Sequence, residues 1–225
     1  MKILQVSGAR SVWIFPYSDL NPRGKAVERS ANNAIVERYK FSVVPNAESI
    51  AEALKNNTTA FIFKGGEYQT PSGEIISVAL SIHNDGLIAD TRSSTLDADH
   101  FLNDFLTWLS NDFGLLPHGP LVRRKLYVSD LNIQFERPLM LVNPKLEGIS
   151  DLLADKIKNR VPGLKFEVGA MALWQDPEAP VKTVPFRLER ALNVPFSEGR
   201  YFSQAPIHTH EHIELLEKIE QTASA

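Results

Sequence analysis

The chain has 225 residues, a net charge of −3 and no cysteine. The lack of cysteine excludes disulfides, thiol nucleophiles and cysteine-ligated zinc or iron–sulfur sites. At 43% hydrophobic and 23% charged residues, the composition is that of a globular protein long enough to bury a core. No segment has the pattern of a signal peptide or the length of an apolar membrane helix. We therefore expect a soluble, cytoplasmic protein with no membrane contact.

The first half of the chain predicts four strands, the last three of which are joined by tight turns. Asn84, Asp85 and Gly86 predict a hairpin, because Asn and Gly tolerate the positive φ angles that a two-residue turn needs. Residues 70–73 (TPSG) predict a second turn. The strands are predicted at residues 12–17, 60–63, 75–83 and 87–92. Connections this short join antiparallel neighbours.

Apolar residues recur at helical spacing in several other segments. The clearest helix covers residues 95–111, where Ser94 and Asp97 form a capping box and Gly114 stands at the end. Residues 144–161 and 209–222 predict two more amphipathic helices. Weaker helices are predicted over residues 25–39 and 48–54. Further strands are predicted at residues 126–135, 166–174 and 184–191, with a short one at Tyr201.

The word Ser-Asp-Leu-Asn occurs twice, at residues 18–21 and 129–132. About 0.3 such coincidences are expected by chance in a chain of this length, so the word alone proves little. Both copies are followed by the same predicted order of a helix that begins with Asn-Pro, three strands and a Thr-capped helix. This order raises the hypothesis of two pseudo-repeated βαβββα-like halves, residues 1–118 and 119–225, packed as one compact unit. We interpret the word itself as a repeated turn at a strand exit.

The predicted fold class is α+β, with a mainly antiparallel sheet and helices packed on one face. The opposite face would carry Ser77, Ser81, Arg187 and Glu189, because side chains alternate along a strand. A face of small and polar residues suits a partner, although solvent is the usual neighbour of such a face. These four residues are the candidate partner-binding residues.

The run His-Thr-His-Glu-His at residues 208–212 is the most conspicuous polar cluster. Imidazole is a common metal ligand, and His208, Glu211 and His212 are the candidate ligands. Thr209, however, is well placed as a helix N-cap, and a helix that starts there turns His210 and His212 to opposite sides. A polar helix start is the competing interpretation, and we expect no cofactor.

Other catalytic motifs are missing from the sequence. It has no Gly-x-Ser-x-Gly, His-Glu-x-x-His or Gly-x-Gly-x-x-Gly. Acid pairs such as Asp97 and Asp99 fall on predicted helix surfaces, where solvation is the expected role. The leading hypothesis is a non-enzymatic intracellular interaction or assembly protein of bacterial or phage origin. Its protein partner is unidentified, and self-association is left open.

Two alternatives remain open at this level. One is a metal-dependent hydrolase that uses the histidine cluster at residues 208–212. The other is a nucleic-acid-binding protein that uses a sheet face. The negative net charge argues against nucleic acid, since Arg123, Arg124 and Lys125 form the best basic run.

Overall fold

The computed structural model describes residues 1–24, 28–45 and 61–222. Within these ranges the fold is α+β, with four α-helices and an eight-stranded antiparallel sheet, as predicted. The strands are β1 (Lys2–Ile14), β2 (Phe61–Gln69), β3 (Ile75–His83), β4 (Gly86–Thr91), β5 (Arg124–Gln134), β6 (Ala170–Leu173), β7 (Phe186–Arg190) and β8 (Arg200–Ala205). The helices are α1 (Glu28–Tyr39), α2 (Thr95–Phe113), α3 (Lys145–Ile157) and α4 (Thr209–Thr222). The strand order is β2-β3-β4-β1-β5-β8-β7-β6.

The chain divides into two compact units, and the long strands β1 and β5 contribute to both. The N unit is residues 8–129, and the C unit is residues 1–7 together with residues 130–225. The order strand, helix, three strands, helix runs from β1 to α2 and again from β5 to α4. The division at residue 118 and the duplication stay predictions.

In the N unit, alternation along the strands separates a buried side from an outer side. Val78, Leu80 and Ile82 of β3 are buried, whereas the residues between them are exposed or half-buried. The buried side packs against α2, which contributes Phe101 and Phe105 to the same core. The helices of this unit therefore cover one side of its strands.

Local signals set the ends of α2 as predicted. The backbone N–H of Asp97 donates to Ser94 Oγ at 3.0 Å, so Ser94 satisfies one of the free donors at the helix start. Gly114 ends the helix in the left-handed conformation, with φ of 65°. The predicted hairpin at Asn84 and Asp85 also forms, and it joins β3 to β4 in register.

The C unit has its own core, to which its two helices contribute unequally. Leu131, Leu188 and Tyr201 of the strands pack with Leu216 of α4. In contrast, α3 has no buried side chain. The apolar spacing of residues 144–161 therefore predicts the helix correctly, although the structure ends it at Ile157.

The two Ser-Asp-Leu-Asn words adopt different structures, so the interpretation as a repeated strand-exit turn is wrong. The first lies mainly in the 3-10 turn Tyr17–Leu20, and the second lies inside β5. In β5, Ser129 and Leu131 are buried, while Asp130 accepts a hydrogen bond from Gln204 at 2.9 Å. Pairing with neighbouring strands overrides the preference of Asp and Asn for turns.

Other element boundaries differ from the sequence prediction or lie outside the described residues. β1 begins at Lys2 and not at residue 12. Residues 2–5 are all exposed, so they lack the alternation of buried and exposed side chains that predicts a strand. The strand predicted at residues 166–174 is limited to Ala170–Leu173, where pairing with β7 exists. The helix predicted at residues 48–54 lies outside the described residues, as does the start of the one predicted at residues 25–39.

We predict that Gly199→Ala lowers the free energy of unfolding by about 2–4 kcal/mol. Gly199 has φ of 57°, and a Cβ there would lie 2.3 Å from the carbonyl oxygen of Phe135. The Gly199 carbonyl also accepts a hydrogen bond from the Phe135 N–H at 2.9 Å, so the chain cannot move aside freely. Urea unfolding followed by circular dichroism measures the change.

Gly148→Ala is the matched control for this substitution. Gly148 lies within α3, and a Cβ there would have no neighbour within 4 Å. Alanine favours a helix over glycine, so stability is expected to stay unchanged or to rise by up to about 1 kcal/mol. Equal losses in both variants would contradict the steric explanation.

Candidate interaction surface

The predicted partner-binding residues lie on the sides of the strands opposite each core. In the N unit, Ser77 and Ser81 of β3 alternate with buried residues. In the C unit, Arg187 and Glu189 of β7 do the same, and the Arg187 guanidinium lies 5.5 Å from the Trp174 ring centroid. The role of these four residues in partner binding stays a prediction.

The histidine run forms the start of α4. Glu211 Oε2 accepts the backbone N–H of His208 at 3.0 Å, while Thr209, expected as the cap, is the first helical residue. His212 is fully buried, with Nε2 2.8 Å from Ser203 Oγ. Because the Ser203 hydroxyl donates to the Arg187 carbonyl, it accepts from His212. His212 thus serves the packing of α4 on β8.

Metal binding by this run stays an untested alternative. Across residues 1–24, 28–45 and 61–222, no group of three or more His, Asp or Glu side chains is arranged to hold a metal ion. Metal analysis of the purified protein tests whether His208, Glu211 and His212 nevertheless bind one.

A half-buried carboxylate in the N unit accepts hydrogen bonds from four side chains, and the sequence did not predict this role. Asp99 of α2 has a side chain that is only 15% exposed, so the expectation of a solvated helix position is wrong for it. Its Oδ1 accepts from Ser11 Oγ and from Trp13 Nε1, the latter at 2.7 Å. Its Oδ2 accepts from Tyr127 at 3.1 Å and from Lys125 Nζ at 3.3 Å.

These donors keep Asp99 ionised. Burial alone would raise the pKa of Asp99, but the hydrogen bonds from Ser11 and Trp13 and the charge of Lys125 lower it below its usual value. Lys125 Nζ also lies 3.7 Å from the centroid of the Trp13 ring. A carboxylate with two donors on each oxygen and a lowered pKa is a poor proton donor. We interpret Asp99 as the residue whose hydrogen bonds hold α2 against the strands β1 and β5.

The helix α3 in the C unit departs from ordinary packing, because it exposes three large aliphatic side chains. Ile149 is 61% exposed, Leu152 58% and Leu153 45%. Its half-buried side consists of Leu146, Ser150, Ala154 and Ile157, two of which are small. By contrast, α1 of the N unit buries Ile35 and Tyr39 in its core. Ile149, Leu152 and Leu153 therefore lie beside the half-buried side of α3 and are exposed to solvent.

Charges on α3 are segregated by sign. At about 100° per residue, Leu153, Ile149, Lys156, Lys145 and Leu152 fall within an arc about 100° wide. We call these five residues the α3 flank. Glu147, Asp151 and Asp155 fall on the opposite side of the half-buried line. The α3 flank is thus both apolar and basic, whereas the other side of the helix is acidic.

A cavity of about 350 Å³ lies on the acidic side of α3. Glu147 and Asp151 line it from the helix, and Leu141 and Phe166 line it from the neighbouring segments. Ser150 Oγ donates to the Phe166 carbonyl at 2.6 Å, which fastens the helix at this edge. The cavity shows that α3 rests on the C unit without close packing.

No protein-family model matches the sequence, and no curated protein matches it. In the part of the chain that the structure describes, no helix is long and apolar enough to cross a membrane.

We predict that Asp99→Asn lowers the free energy of unfolding by about 2 kcal/mol at neutral pH, because the amide group replaces an acceptor oxygen by a donor. Folding lowers the pKa of Asp99, so the ionised carboxylate stabilises the folded state above about pH 4. This stabilisation is lost as the pH falls through the folded pKa. The difference between wild type and variant should therefore shrink in acid. Chemical unfolding at several pH values measures it.

Asp155→Asn is the control for the loss of a carboxylate. The Asp155 side chain is 67% exposed and forms a surface ion pair with Lys158, which contributes at most about 1 kcal/mol. If Asp99→Asn changed the stability no more than this control at every pH, Asp99 would not hold α2 against β1 and β5.

Proposed function

We propose that this chain is a non-enzymatic intracellular interaction protein that binds a partner protein through the α3 flank. The observation that supports this function best is the exposure of Ile149, Leu152 and Leu153 on a helix without any buried side chain. Clustered apolar residues rimmed by charge are typical of protein-binding sites. The cytoplasmic location predicted from the sequence belongs to the same proposal.

The energetics favour docking at this surface. Removing one large aliphatic side chain from water contributes roughly 1.5–3 kcal/mol. The three aliphatic residues of the α3 flank thus offer several kcal/mol to a partner that covers them, against the entropy lost on association. A partner would also hold α3 in place, where the C unit alone buries none of its side chains.

The polar surfaces offer less to a partner, because many of their groups are already paired. On the outer side of the N unit, Arg10 Nε donates to Asp90 at 2.7 Å. On the outer side of the C unit, Gln204 donates to Asp130 at 2.9 Å. Asp99 accepts from four donors of its own unit. Among the described residues, the α3 flank has no comparable set of polar contacts within the chain. We therefore favour it as the binding surface.

The test compares the wild type with Ile149→Glu. A protein captured by the wild type from a lysate of the source cells is purified, and its affinity is measured by isothermal titration calorimetry. We expect Ile149→Glu to lower the affinity at least about tenfold, since it replaces an apolar contact worth about 1.5–3 kcal/mol by a charge.

Asp151→Asn is the control, because it changes the same helix on its acidic side. It should leave the affinity within about twofold, as expected for an exposed charge outside the interface. Unchanged circular dichroism and melting temperature in both variants show that the fold is intact. If Ile149→Glu bound the partner with the same affinity as the wild type, the proposal that this surface binds the partner would be wrong.

A further inference from the structure

We infer that the partner presents an acidic amphipathic helix to the α3 flank. This inference rests on the proposed function and adds to it the chemistry of the partner. It follows from three features of α3: the sign of the charges beside the exposed aliphatic residues, the outcome of pairing two copies, and the shape of the surface.

The first feature is the pair of lysines within the flank. Lys145 and Lys156 are exposed and share the arc of Ile149, Leu152 and Leu153. Among the described residues, neither lysine has a carboxylate within ion-pair distance, whereas Lys158 pairs with Asp155 at 2.8 Å. A partner that covers the aliphatic residues comes close to both cations. Carboxylates on the partner would offset the desolvation of these lysines, and cations would add repulsion.

The second feature excludes a second copy of this chain as the favoured occupant. A two-fold pair of α3 helices is parallel when the axis runs along the helices, so that each lysine meets its own copy, and it is antiparallel when the axis crosses them. In the antiparallel pair each contact between two different positions occurs twice. Facing Ile149 with Leu152 of the other copy then sets Lys145 against Lys156. Both cations would lose water next to like charge, which costs free energy. An acidic partner avoids this repulsion.

The third feature is the spacing of the exposed residues. Positions 149, 152 and 153 form a ridge along one helix, which packs into the groove between side chains of a second helix. The partner is expected to carry apolar residues at i, i+3, i+4 and i+7, flanked by Asp or Glu.

An anionic membrane surface fits less well than a helix. Interfacial helices place a broad apolar face into the lipid, but the α3 flank has three aliphatic residues and no aromatic one.

The experiment selects binders from a displayed library of random peptides of about 16 residues, which is long enough for four helical turns. The target is the full chain, and the counter-target is the full chain with Ile149→Glu and Leu152→Glu. We expect the enriched peptides to combine helical apolar spacing with Asp and Glu. They should bind the wild type at least about tenfold more tightly than the counter-target, and their affinity should fall with added salt.

The variant Lys145→Glu with Lys156→Glu tests the charges separately. It keeps the aliphatic residues, so it should weaken the acidic peptides several-fold and strengthen peptides in which their Asp and Glu are replaced by Lys. Equal affinities of both peptide types for the wild type would overturn the inference.

The outcomes separate the inference from the proposed function. Peptides that need the flank but are neutral or basic overturn the inference and leave the proposed function standing. Selection without any flank-dependent peptide overturns both. Sedimentation that shows a dimer sensitive to Ile149→Glu, or flank-dependent binding to vesicles of phosphatidylcholine with about one-third phosphatidylserine, would replace the acidic helix by a second copy or by a membrane.

Discussion

The removal of apolar side chains from water is the constraint on which the rest of the structure depends. Every strand that alternates has one side to bury, and helices must cover that side. In the N unit, α1 and α2 both contribute buried residues, and the core is closed by aromatic and aliphatic side chains together. In the C unit, α4 buries Leu216 and His212, but α3 buries nothing. The proposed function follows from this difference in burial between α3 and the other helices.

The two units also treat their polar groups differently. In the N unit, Asp99 gathers four donors from β1 and β5, so that helix and strands are joined through one carboxylate. Such a saturated group stabilises the fold and has little left to offer a ligand. In the C unit, α3 exposes the three aliphatic residues and the two lysines of the α3 flank to solvent. Stability is therefore concentrated in one place, and the capacity for binding in another.

Structural features that depend on neighbouring residues are predicted correctly from the sequence. The Asn84 hairpin, the Ser94 cap and the Gly114 ending are set by backbone conformations and hydrogen bonds within a few positions, and all three form. The helix around Leu152 was predicted from its spacing for the same reason. The alternation along β3 likewise predicted the correct buried side.

Structural features that depend on segments distant in the sequence are not predicted correctly. Two identical Ser-Asp-Leu-Asn words differ because one of them is paired within β5. The helical position of Asp99 predicts a solvated side chain, because its donors Ser11 and Lys125 lie far away along the chain. The exposure of α3 was equally hidden, since periodicity identifies an apolar side but does not say what covers it. The candidate surface thus needed the structure, although its helix did not.

Hydroxyl-radical footprinting of the full chain measures the exposure of single side chains in solution, and it therefore shows whether the α3 flank is uncovered. The account predicts strong labelling of Leu152 and Leu153 in the isolated protein and none of the buried Leu102. It also predicts that a bound partner removes the labelling of α3. Weak labelling of Leu152 and Leu153 in the isolated protein would contradict the account, because the α3 flank would then already be covered by the chain itself.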